Sequence, residues 1–117
     1  MPYVDGFVLA VPVAKRDAYF ELATKAAAVF RKHGALRVVE CWSDDVPEGK
    51  LTSFTLAVQR KDDEAVVFSW IEWPSREARD AGMAKVMADP EMDTDPASMP
   101  FDGKRMIFGG FTAFVDA

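Results

Sequence analysis

The 117-residue chain carries 14 Lys and Arg against 19 Asp and Glu, a net charge of −5, and half of it is hydrophobic. That length suits one domain, expected over 1–117, with a core large enough to need no staples, and the apolar fraction excludes a disordered chain. The acidic balance speaks against a nucleic-acid footprint or an anionic-membrane surface. A single cysteine excludes an intramolecular disulfide framework. No apolar run approaches the roughly 18 residues of a membrane span, and the first residues lack a basic leader region, so a cytoplasmic setting is expected.

Tyr3 to Val11 is rich in β-branched and aromatic residues and reads as a strand closed by Pro12. Lys15 to Lys32 reads as a helix. Phe20, Ala23, Ala27 and Phe30 form one apolar row and Tyr19, Leu22, Ala26 and Val29 a parallel one, with Gly34 placed to end it. Leu36 to Ser43 is a second strand, and Asp44 to Lys50 a turn. Leu51 to Arg60 fits a strand extension and a short helix equally. Ala65 to Trp73 is a strong strand stopped by Pro74. Ser75 then offers an N-cap for a helix to Ala88, with Ala78, Ala81, Ala84 and Val86 inward. Asp89 to Gly103, with three prolines, is a long loop, and Arg105 to Val115 is the last strand.

The order β-α-β-β-α-β predicts an α+β, ferredoxin-like fold: a four-stranded antiparallel sheet with two helices on one face. Strand alternation then sorts side chains. Val4, Gly6, Val8, Ala10, Val39, Cys41, Val67, Ser69, Ile71, Ile107, Gly109, Phe111 and Ala113 are small or aliphatic for the most part and are assigned beneath the Ala-rich helices. Tyr3, Asp5, Phe7, Leu9, Val38, Glu40, Trp42, Val66, Phe68, Trp70, Glu72, Met106, Phe108, Gly110, Thr112 and Phe114 fall to the open face. An apolar face of that size needs a cover, and the chain has no third helix to supply it. Two sheets packed across a two-fold would do so, which predicts a homodimer with an inter-sheet interior.

Three stretches, Ala35 to Trp42, Val67 to Ser75 and Met99 to Met106, together with Tyr3 to Phe7, resemble the DUF1428 family of small bacterial proteins. The resemblance spans essentially the whole chain. It implies the dimeric α/β-barrel fold and no reaction, because the family has no assigned catalytic residues. Its wider superfamily includes cofactor-free monooxygenases, haem-using enzymes, isomerases and plain ligand binders.

The chemistry-bearing set is Asp5, Glu40 and Glu72 among Phe7, Trp42, Phe68, Trp70, Met106 and Phe108. Apolar walls with a few polar groups describe a ligand cavity, and a carboxylate there would be desolvated enough to act as a base. The alternative is that Glu40 and Glu72 pair with Arg37 or Arg105 and the aromatics only pack a dimer. His33 has a sufficient role at a helix C-terminus, and Cys41 reads as an inert core thiol. One His and one Cys give no metal-ligand spacing, and no cofactor motif is present. Met99, Pro100 and Phe101 are candidates for a lid over the cavity mouth. Three functions follow: a small-molecule-binding homodimer, a cofactor-independent monooxygenase- or isomerase-like enzyme with Glu40, Glu72 or Asp5 as base, or a structural dimer without ligand.

Overall fold

In a computed structural model, which describes residues 1–92 and 95–117, the chain forms β1 (Tyr3–Pro12), α1 (Arg16–Lys32), β2 (Arg37–Trp42), α2 (Phe54–Ala57), β3 (Glu64–Trp73), α3 (Arg76–Ala88) and β4 (Ile107–Thr112). The four strands make one sheet in the order β2-β3-β1-β4, every neighbouring pair antiparallel. This is the expected ferredoxin-like arrangement. Leu51 to Arg60 resolves as the single turn α2, N-capped by the Ser53 hydroxyl, which accepts from the Leu56 amide at 2.9 Å. The long segment after α3 holds two short 3₁₀ turns, Pro96–Ser98 and Gly103–Arg105; two residues of the expected loop, 93 and 94, lie outside the described residues.

Local chemistry fixes the helix ends. The Ser75 hydroxyl accepts from the Ala78 amide at 3.1 Å, the expected N-cap of α3. At the end of α1, the Ala35 amide reaches back to the Phe30 carbonyl and the Gly34 amide to that of Arg31. That paired closure needs φ of +109° at Gly34, which glycine adopts without a Cβ penalty.

The register overturns part of the face assignment. Tyr3, Asp5, Phe7 and Leu9 stand opposite Trp73, Ile71, Ser69 and Val67 on β3, and Val38, Glu40 and Trp42 stand opposite Ile71, Ser69 and Val67. These residues share the helix-covered face, where Tyr3, Ala35, Ile71 and Trp73 form one buried cluster and Leu9, Val11, Tyr19 and Val67 another. Three strands are therefore turned over relative to expectation: Asp5, Phe7, Glu40, Trp42 and Phe108 face the helices. Only on β3 did the expected open-face residues Val66, Phe68, Trp70 and Glu72 stay in place. The physical reason is that the helix-covered side takes up bulky rings and carboxylates, because Tyr19 and Arg79 on the helices and Trp73 on β3 supply their polar partners.

α3 also departs from expectation. It turns Gly82 and Val86 inward, with Met83 against the core, and leaves Ala81 and Ala84 exposed. The open face is not wholly bare either. Val58, just after α2, buries itself against Val8, Ala10 and Val66 and covers one end of it. Beyond that cover Phe68, Ile107 and Phe111 are exposed, Phe111 to 63%. The open face is thus apolar as expected, but with a different membership. Cys41 lies on it and is exposed, so it is not a core thiol.

Candidate functional site

The three expected carboxylates occupy three separate settings. Asp5, beneath α3, is 4% exposed. It accepts from Trp73 Nε1 at 3.0 Å and from Arg79 Nη1 at 2.7 Å, while Arg79 Nη2 reaches the Tyr3 hydroxyl at 3.3 Å. Fully partnered and sealed, Asp5 serves the packing of α3 on the sheet. Glu72 lies on the opposite face, where it accepts from Trp70 Nε1 at 2.9 Å and stands 3.8 Å from Arg37 Nη1. Glu40 is the carboxylate that lines a helix-side groove.

That groove runs between α1 and the β2 edge of the sheet, encloses about 360 Å³, and is walled by Phe20, Ala23, Thr24, Ala27, Val38 and Glu40. It arises because one row of α1 carries alanines opposite β2, so the helix leaves a channel where larger residues would fill the gap. Phe20 closes one end by meeting Trp42 edge to face at 5.7 Å, and the Arg16 guanidinium lies over both rings.

Glu40 is held from below. The buried Tyr19 hydroxyl donates to its Oε1 at 2.6 Å, and Ser69, its register partner on β3, donates to the same carboxylate. One side of Glu40 stays open to solvent at the groove mouth. Desolvation by the groove walls raises its pKa above the ordinary carboxylate value, and the hydrogen bonds from Tyr19 and Ser69 only partly offset this. Burial, with the adjacent Glu40 charge, pushes the Tyr19 hydroxyl far up as well, so it remains a donor. A carboxylate of this kind can accept a hydrogen bond or a proton from a molecule seated in the groove.

The remaining expected site residues divide between the faces. Phe7 and Phe108 stack at 6.4 Å on the helix side near the β4 edge, and Met106 packs against the cluster of Leu9, Val11, Tyr19 and Val67. Phe68 and Trp70 touch at 5.7 Å on the open face. The proposed lid is placed elsewhere: Pro100 is buried, and Phe101 meets the Tyr19 ring edge-on at 5.8 Å, which plugs the helix–sheet layer. Neither expected arginine partner reaches Glu40, since Arg37 approaches Glu72 and Arg105 pairs with Glu64. His33 contacts Asp89 at 2.7 Å, tying the ends of α1 and α3 together. Sequence reading missed Tyr19, Ser69 and the α1 groove row as site residues. The signal was a tyrosine in a buried helical row, whose hydroxyl needs an acceptor opposite. Among the described residues no group of three or more His, Cys, Asp or Glu is placed to hold a metal, and no helix is long and apolar enough to cross a membrane.

The model of a family described as proteins of unknown function, DUF1428, matches residues 2–103. The chain belongs to the DUF1428 family. Its relatives include the uncharacterized protein YbaA of Escherichia coli K12 and of Shigella flexneri, each 60% identical over 116 residues and covering 99% of both chains. Among solved structures, a variant of SnoaB, a cofactor-independent oxygenase from Streptomyces nogalater, matches with a TM-score of 0.61 at 17% identity, over 98% of this chain and 95% of its own. A dimeric ferredoxin-like protein from an uncultured marine organism matches with a TM-score of 0.61 at 12% identity over 100% of both chains. At such identities the likeness establishes the ferredoxin-like fold of this DUF1428 member and no activity.

Proposed function

We propose that this protein is a cytoplasmic homodimer joined through the open faces of its sheets, and that each subunit binds a small apolar or aromatic molecule in the α1–β2 groove. The observation that carries the binding is Glu40, a carboxylate among apolar walls that is anchored by Tyr19 and open on the groove side. Small-molecule sites combine such walls with few polar groups. Self-association is supported by the exposed apolar strip around Phe68, Ile107 and Phe111 and by the dimeric ferredoxin-like structural relative.

Thermal melts in the presence of fused-ring aromatic probes test the binding. A rise in Tm with wild type that disappears in Ala27→Phe, which fills the groove, is the expected result; an unchanged rise in that variant defeats the groove. A second reading has its own observation. Val4, Gly6, Phe68, Trp70, Glu72 and Phe111 line a trough of about 640 Å³ on the open face, which a partner's sheet would roof over as the inter-sheet cavity. A response lost in Trp70→Ala and kept in Ala27→Phe would assign the ligand there. The enzymatic alternative, a monooxygenase- or isomerase-like reaction, would use Glu40 as its proton acceptor.

A further inference from the structure

Resting on the reading of the α1–β2 groove as a ligand site, we infer that its ligand class is a non-anionic aromatic bearing a hydroxyl, a phenol or an enol, which donates a hydrogen bond to Glu40. An ionised carboxylate only accepts, and it offers about four lone-pair directions. Tyr19 and Ser69 occupy the inner side of Glu40, and the remaining acceptor capacity faces the groove. The walls formed by Phe20, Ala23, Ala27 and Val38 present no side-chain donor that could answer it, and Thr24 spends its hydroxyl on the Phe20 carbonyl at 2.7 Å. A ligand lacking a donor would strip water from Glu40 and put nothing in its place, a desolvation cost without compensation. A ligand with a hydroxyl replaces that water.

Charge narrows the class further. No cation lines the groove, so an anionic ligand would lie beside Glu40 with no counter-charge within the walls. The Arg16 guanidinium is spread over the Phe20 and Trp42 rings, 4.9 and 5.3 Å from their centroids. Phe20 supplies an aromatic surface for a flat ring to pack against, and the alanines of α1 leave a slot for it.

The test compares three probes of one size on the full-length protein by titration calorimetry: 2-naphthol, 2-methoxynaphthalene and 2-naphthoate. The expected order has 2-naphthol about tenfold or more tighter than its methyl ether, one charge-assisted hydrogen bond's worth. Glu40→Leu should close that gap by weakening naphthol and sparing the ether. Should that variant fail to fold, Glu40→Gln is expected to narrow the gap. Equal binding of naphthol and ether to wild type overturns the phenol class and leaves the groove standing as an apolar site. A gap that persists in Glu40→Leu also overturns it. Tighter binding of 2-naphthoate would move the polar contact to Arg16 and overturn it equally. If none of the three binds, the groove itself fails as a site.

Discussion

Arg105 shows how much one side chain organises here. Its two terminal nitrogens reach the Glu64 carboxylate oxygens at 2.7 and 2.6 Å, its Nε reaches Asp102 at 3.1 Å, and Nη1 also donates to the Gln59 carbonyl at 2.9 Å. Glu64 further accepts the Lys61 amide at 2.7 Å. The start of β3, the turn after α2 and the approach to β4 are thereby tied at one buried point. Arg105 first, then the Lys61 amide, hold the Glu64 carboxyl down at about 2 from its ordinary 4.5. Because the folded value is the lower one, this pairing stabilises the fold fully above about pH 4.5, and the contribution fades as pH falls towards 2. Asp89, lowered chiefly by its hydrogen bond to His33, shares the sign. Arg105→Met strands Glu64, and urea denaturation at neutral pH should show a loss of about 3 kcal/mol that shrinks on acidification. A variant as stable as wild type at pH 7 would show the tie to be dispensable.

At the scale of the element, α3 owes its position to a residue that lacks a side chain. A Cβ on Gly82 would lie 2.6 Å from the His33 carbonyl oxygen and collide with the Trp73 ring. The Trp73 ring is fully buried, and the His33 carbonyl is backbone, so neither can yield cheaply. Gly82→Ala should therefore cost about 1–3 kcal/mol in denaturant unfolding, against the roughly 1 kcal/mol gain that alanine brings to an unconstrained helix position. A stabilised variant would contradict the close approach. The same element shows what the sequence hides. Helix ends were legible, because Ser75 and Gly34 act on their own neighbours. Inward direction was not, because the alanines of α3 suit either side and the decisive feature is a tryptophan on another strand. Strand facing failed for a related reason. With both faces of β1 apolar, alternation marks two sets without saying which one the helices cover. Asp5 carried a usable clue: a buried carboxylate wants a cation opposite, and Arg79 beside Gly82 was the available one.

For the whole molecule, the sheet's uncovered side is the surface through which the proposed dimer would form. Phe111 lies across Gly6 and Gly109, a register pair without side chains, and so presents its ring outward. Placing a charge there with Phe111→Glu should convert the proposed dimer to monomer in analytical ultracentrifugation, whereas Met87→Glu on the exposed side of α3 should leave it intact. Monomeric wild type, or a dimer indifferent to Phe111→Glu, would refute association through this face. The topology and the surplus of apolar residues were legible from element order and composition alone. The helix-side groove was not, since it depends on which row of α1 meets β2, a matter of three-dimensional packing.

The strand order carries a further consequence, for the way the chain comes together. β1 is a central strand, yet both of its neighbours come later in the chain, with Tyr3 pairing to Trp73 on one side and to Thr112 on the other. As the polypeptide leaves the ribosome, its first strand has nothing to zip against until β3 emerges, and one of its edges stays unpaired until β4 is made. The complete sheet therefore cannot form before β4 has been made, however early the first helix folds.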